Sequence, residues 1–145
     1  MVIKIYKLLR KKGWGEYNFL TFLFYTLIGR LNYYYVFKDK SFISLILFEN
    51  NHFTEVQYKT VKCVFFLISD YFREHETQLI QWLNTIETNY RLKGYGSIQF
   101  LLQSPIDESY AISLLKDNNY IKRYGYVRFS LTRKYKFTDY YVKYL

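Results

Sequence analysis

Three short apolar runs separated by polar breaks constrain this chain more than anything else in it. "NYYYVFK" (32–38), "SFISLILFE" (41–49) and "TVKCVFFLIS" (60–69) are rich in aromatic and β-branched residues, and the breaks include "DK" and "ENNHF". Runs of that length and chemistry favour strands, and short polar connections favour antiparallel neighbours. A meander is therefore expected over 32–69.

The flanks supply the other elements. "VIKIYKLL" (2–9) alternates well enough to predict a first strand, and the basic run "RKKGWG" (10–15) predicts a cationic turn. Glu16 to Ile28 has the apolar density of a buried helix, with Gly29 placed as its stop. From Arg73 the period changes: Leu79, Leu83, Ile86 and Tyr90 form one helical stripe, closed by Gly94. "SIQFLLQ" (97–103) predicts a strand. "SPID" (104–107) predicts a helix start, with Ser104 as N-cap and Pro105 in the first helical position, running to about Lys116. "DNN" (117–119) breaks that helix, and "YVRFSLTRKYKF" predicts a final strand or ribbon. The order β-α-β-β-β-α-β-α-β gives an α+β class: a single compact domain, an antiparallel-rich mixed sheet and about three helices. Residues 1–72 carry the strand, helix and meander, and residues 73–145 a helix-strand-helix-strand half, the two forming one structural unit. No internal repeat interrupts them.

Charge narrows the partners. The 145 residues carry 21 Lys plus Arg against 12 Asp plus Glu, a net +9, which points to a polyanion, either nucleic acid or an anionic membrane surface. No segment reaches the ~18–20 apolar residues of a membrane span, and "FLTFLFYTLIG" (19–29) is too short. The start lacks a cleavage pattern and reads as mature protein. Cys63 stands alone inside an apolar run, so it reads as buried filler rather than half of a disulfide. Eighteen Tyr and 13 Phe beside one alanine, Ala111, match what AT-rich codons supply, from which an organellar origin and a mitochondrial matrix location are inferred.

Catalytic constellations are sparse. His52 and His75 fall in different elements with no second His or Cys at ligand spacing, so no metal, no catalytic residue and no cofactor is expected. "RLKGYGS" (91–97) contains Arg-x-x-Gly-x-Gly, which resembles the pyrophosphate loop of the acetyl-coenzyme A-dependent N-acetyltransferase superfamily. There, amides freed by glycine hold phosphates at a helix start. Here the loop follows a helix and precedes a strand. The element order also looks like that superfamily. In that register the phosphate loop falls on "YFREHETQ" (71–78), which has Arg73 but no glycine, and the general-acid tyrosine of "A-x-x-L-Y" is replaced by Leu115.

A denser local likeness lies in "LIQWLNTIETN" (79–89), "SIQFLLQSP" (97–105), "LLKDNNYIKRY" (114–124) and "VRFSLTRKY" (127–135). Together these resemble the N-terminal half of small-subunit ribosomal protein eight. Leu79, Leu83 and Ile86 match its first helix, and Leu115, Lys116, Tyr120 and Ile121 its second. Asn119 stands for the family's glycine at a left-handed helix stop. Thr85 and Glu87 replace its arginines, and its C-terminal RNA-binding domain has no counterpart. The resemblance implies a non-enzymatic protein of the small ribosomal subunit, mitochondrial by the compositional inference above, with ribosomal RNA and neighbouring ribosomal proteins as partners in a large assembly. Cations would hold phosphates, and tyrosines would stack on bases or bond the backbone. The expected RNA contacts are Lys122, Arg123, Tyr124, Arg128, Arg133, Lys134 and Lys136 on the ribbon, Arg10, Lys11 and Lys12 on the first basic cluster, and Arg91 and Lys93. Two other classes remain open: an N-acetyltransferase-fold protein, active or degenerate, and a basic accessory subunit of a membrane-bound respiratory complex.

Overall fold

The computed structural model describes residues 1–50, 59–101, 108–128 and 135–145. The predicted cap at Ser104 and Pro105, and His52, lie outside them.

The chain opens with a helix, α1 (Val2–Lys11), in place of the expected strand. Its apolar residues come in pairs broken by a cation at every third position, which is closer to the 3.6-residue helical period than to the period of two in a strand. One side buries Ile5 and Leu9, and the other carries Lys4, Lys7, Arg10 and Lys11. Arg10 and Lys11 belong to its last turn, where cations favour the helix C-terminus; the expected basic turn thus begins only at Lys12 and Gly13. The second helix, α2 (Phe19–Leu27), starts at Asn18, whose side chain accepts the Thr21 amide at 2.8 Å, and stops at Gly29 with φ +73°.

The meander forms as expected: β1 (Leu31–Lys38), β2 (Ser41–Asn50) and β3 (Lys59–Ile68) pair antiparallel in order. The helix expected from Arg73 comes in two pieces, α3 (Asp70–Glu74) and α4 (Glu76–Leu92), broken at His75. Then follow β4 (Tyr95–Phe100), α5 (Glu108–Asp117), β5 (Ile121–Arg128) and β6 (Tyr135–Tyr144). Asn119 ends α5 in the left-handed region at φ 68°.

The six strands make one mixed sheet in the order β1-β2-β3-β4-β6-β5, with β3 and β4 parallel and the other pairs antiparallel. Alternation along β2 divides the core. Ile46 and Phe48 face α4 and α5 with Leu79, Leu83, Ile86 and Leu115. Leu45 and Leu47 face α1 and α2 with Ile5, Leu9 and Phe22. The α+β class stands, with five helices among the described residues in place of about three.

Two buried polar hubs pin helices to this sheet. On one face, the Tyr120 hydroxyl donates to Glu87 Oε1 and Lys143 Nζ donates to Oε2, both at 2.8 Å, tying α4 to β6 and to the residue before β5. Glu87, which the ribosomal resemblance treats as a departure, is 4% exposed and holds the hub. On the other face, Arg30 Nη2 meets Glu49 Oε1 at 2.8 Å and the Tyr17 hydroxyl donates to the same oxygen at 3.2 Å. Desolvation pushes the Glu49 carboxyl up to about 7, against the pull of Arg30. A raised acid contributes stability that is complete below its unfolded value, near 4.5, and is lost as pH rises through about 7. Glu49→Gln is therefore expected to flatten the fall in melting temperature between mildly acidic and mildly alkaline buffer. The contribution removed is on the order of 2 kcal/mol, read by thermal melts across that range. An unchanged slope would place the pH sensitivity elsewhere.

Candidate functional site

Among the described residues, the parallel pairing of β3 with β4 stops well before β3 itself does. β3 follows β4 from the pair Lys59 and Tyr95 to the pair Cys63 and Phe100, and the last bond is donated by the Leu101 amide to the Cys63 carbonyl at 3.1 Å. Beyond that point β3 keeps its pairing with β2 as far as Ile68.

A bulge marks the parting. Phe48 pairs with Cys63 but Leu47 with Phe65, so Val64 is an extra residue on β3. The side chains agree: Cys63 faces the α4/α5 core, Val64 and Phe65 both face the α1/α2 core, and Phe66 returns to the first. Such an insertion bends its strand and disrupts the ladder. Past the bulge, Leu67 offers its carbonyl to Ser44 Oγ at 2.6 Å and Ser69 its amide to the Ile43 carbonyl at 3.1 Å, so these residues point toward β2. Alternation turns the main-chain groups of Phe66 and Ile68 the other way, into the opening, where no described strand pairs with them. Among the described residues this leaves a V, with β3 running past the end of β4, at the carboxyl ends of two parallel strands, the position where open α/β sheets take ligands.

The segment "SDYFREHETQ" (69–78) follows directly from the wide end of β3. The Phe72 and Arg73 amides bond the Ser69 carbonyl and the His75 amide bonds the Tyr71 carbonyl, so a helical turn has used up these donors. The α4 N-terminus has no side-chain cap, and its first amides, those of Glu76 and Thr77, come before the first bonded one at Gln78. Arg73 lies over the Tyr110 ring at 5.2 Å. The Tyr110 hydroxyl is shielded from water with no hydrogen-bond partner among the described residues. Burial raises its pKa, as does Glu76, while Arg73 opposes, so the group is a neutral O–H. Cys63 is fully buried and its thiol is pushed far up by desolvation, which keeps it inert. Leu115 is fully buried in the α4/α5 core.

The predicted RNA contacts do not converge on one element. Lys122, Arg123 and Tyr124 are exposed on β5, the outer strand of the sheet, and Lys122 lies 3.5 Å from Asp139. Arg128 and Lys136 have their backbones in the β5/β6 hairpin, and Arg133 and Lys134 lie outside the described residues. Arg10, Lys11 and Lys12 are exposed at the end of α1. Arg91 and Lys93 are exposed at the end of α4, across the sheet from α1, with Lys93 over the Tyr90 ring at 5.6 Å. "RLKGYGS" joins α4 to β4 through Gly94 at φ +85°, in the helix-to-strand context expected. Sequence reasoning missed Val64, Tyr110 and the orientation of Phe66 and Ile68. Inside "CVFFL" every residue is apolar, so the bulge leaves no break in pattern.

No family model matches the chain, and no curated protein does. Solved structures do. Arabidopsis thaliana NAA60 in complex with a bisubstrate analogue aligns with TM-score 0.64 at 9% identity, over 99% of this chain and 91% of that one. Mutant forms of the spermidine/spermine N-acetyltransferase SpeG from Vibrio cholerae align with TM-score 0.62 at 11% identity, over 99% and 87%. A GNAT-family acetyltransferase of Streptococcus pneumoniae aligns with TM-score 0.55 at 11% identity, over 88% and 74%. These matches overturn the ribosomal expectation. With it go the ribosomal RNA and ribosomal-protein partners, the mitochondrial translation role, and the exclusion of catalysis that rested on it. The likeness to small-subunit ribosomal protein eight came from the helix-strand-helix-strand order of α4, β4, α5 and β5 and from the stop chemistry of "LLKDNNY". At identities this low the matches speak for architecture alone: the chain has the fold of these acetyltransferase structures.

Proposed function

We propose that the protein is an acyltransferase that takes an acetyl group from acetyl-coenzyme A and passes it to an amine. The reading is carried by the V. The bulge at Val64 opens β3 from β4, and the main-chain groups of Phe66 and Ile68 face into the gap. An extended chain bearing amides, such as the pantetheine arm, can bond that edge as an added strand would. The shared fold with acetyltransferases supports the same donor.

The fit differs along the donor. The thioester arm suits the V, with Val64 and Leu101 on one face and Phe66 and Phe100 on the other to exclude water. Arg73, the Tyr110 hydroxyl and the first amides of α4 would hold the pyrophosphate, and Glu74 and Glu76 stand against it. When bound, the coenzyme would supply an activated thioester: the amine nitrogen would gain the acyl carbon and lose a proton as the carbon–sulfur bond breaks, and the departing thiolate would take up a proton. Leu115 offers no proton to the departing thiolate, so turnover is expected to be slow.

Isothermal titration with acetyl-coenzyme A tests this directly, with micromolar binding the expected result. Arg73→Glu should weaken it at least about tenfold, since a hydrogen bond to a charged group contributes roughly 1.5–3 kcal/mol. Thiol release in the presence of a polyamine or peptide amine should exceed the amine-free rate. No binding at millimolar donor would overturn the proposal.

A further inference from the structure

The outward side of α1 and α2 has a composition that folding does not explain. α2 has no charged residue and turns Phe22 to the sheet, yet Leu20 is 75%, Phe24 56% and Leu27 76% exposed. At about 100° per residue, positions 20, 24 and 27 share one stripe opposite Phe22. Ile28 beside it is also exposed. Burying such side chains contributes about 1.5–3 kcal/mol each, so leaving three together in water is a feature to be explained.

The neighbouring helix supplies a second, independent observation. α1 packs on α2 through Tyr6, whose ring lies 5.3 Å from both Phe19 and Phe22. It turns Ile5 and Leu9 to the same face of the sheet. Its outward side therefore looks the same way as the α2 stripe, and it carries exposed Lys7, Arg10 and Lys11, followed by Lys12, with Ile3 among them, while Lys4 at the margin reaches over the Phe37 ring at 5.0 Å. Across residues 1–30 the only acid is Glu16.

We propose that the α1/α2 face docks on an anionic lipid surface, with the α2 stripe entering the acyl boundary and the α1 cations lying among the headgroups. An apolar ridge beside a row of lysines is the chemistry of an interfacial helix pair. A nucleic acid would use the cations and could stack a base on Phe24, but it would leave Leu20 and Leu27 at the centre of the stripe in water. A second copy of the chain could cover the ridge, but a two-fold contact through this face would bring two sets of like charges together. The inference does not depend on the donor reading, because these residues lie apart from the V.

Co-sedimentation of the full chain with vesicles decides it. Binding is expected to phosphatidylcholine vesicles holding about one third phosphatidylserine, and to be at least tenfold weaker to pure phosphatidylcholine. Lys7→Glu with Lys11→Glu and Lys12→Glu should lower partitioning at least about a hundredfold, from about fivefold per cation lost. Leu20→Ser with Leu27→Ser should lower it at least about tenfold while leaving circular dichroism, melting temperature and acetyl-coenzyme A titration unchanged. Loss with the charge variant but not with the leucine variant would overturn the proposal in favour of plain polyanion binding. So would failure to bind either vesicle, or light scattering showing a dimer that Leu27→Ser dissolves.

Discussion

Deletion of Val64 is expected to leave the protein folded and to remove its affinity for acetyl-coenzyme A by about a hundredfold or more. Without the extra residue, Cys63 and Phe65 become neighbours, and the pairs Phe48 with Cys63 and Leu47 with Phe65 follow each other as in a regular ladder. Inside and outside positions then alternate normally, since Cys63 faces one core, Phe65 the other and Phe66 the first again. The cost is the burial of one valine, about 1–3 kcal/mol. What goes is the bend that parts β3 from β4, and with it at least two main-chain bonds to the donor, each contributing about 1–1.5 kcal/mol. Titration and thermal melting of the deletion beside Val64→Ala, which keeps the bulge, separate the two effects. Full affinity in the deletion would place the donor somewhere other than the V.

Arg30→Met should destabilise the fold by about 3–5 kcal/mol in mildly alkaline buffer, because it strands a buried carboxylate. Arg30 is 1% and Glu49 5% exposed, and Arg30 Nε and Nη1 and Glu49 Oε2 have no hydrogen-bond partner among the described residues. The pair is desolvated more than it is compensated. Arg30→Met combined with Glu49→Leu and Tyr17→Phe should therefore recover most of the loss, and the single variant should be milder at acidic pH, where the carboxyl protonates. Urea unfolding of the single and triple variants gives the comparison. A triple variant as unstable as the single would mean that the pair contributes more than it costs.

These two sites mark the limit of what the sequence makes legible. The meander is legible because each of its runs is short, apolar and bounded by polar turns, and Gly29 and Asn119 are legible because few residues tolerate a positive φ. The first helix misleads because "VIKIYKLL" repeats every three residues, between the two ideal periods. The bulge is hidden because its strand is apolar on both faces, so an inserted residue shifts no polar one. Arg30 lies in the turn before β1 and Glu49 on β2, with no local pattern linking them, and only the sheet brings them together. The ribosomal reading took real helix and strand signals and attached them to the wrong architecture.

The strand order also sets a timetable for folding. The first three strands can pair with their neighbours as they are made, since each follows the last along the chain. β4 cannot be finished in that way: it sits between β3 and β6, and its outer side is satisfied only when Tyr141 to Tyr144 align with Phe100 to Ser97. Until then it presents a bare strand margin beside the opening of the V. Pairings so distant in sequence form late and leave half-made chains adhesive. Expression trouble in this protein is thus expected to begin with changes near Tyr141 rather than in the meander, and a nascent chain stalled before β6 should be the species that chaperones hold.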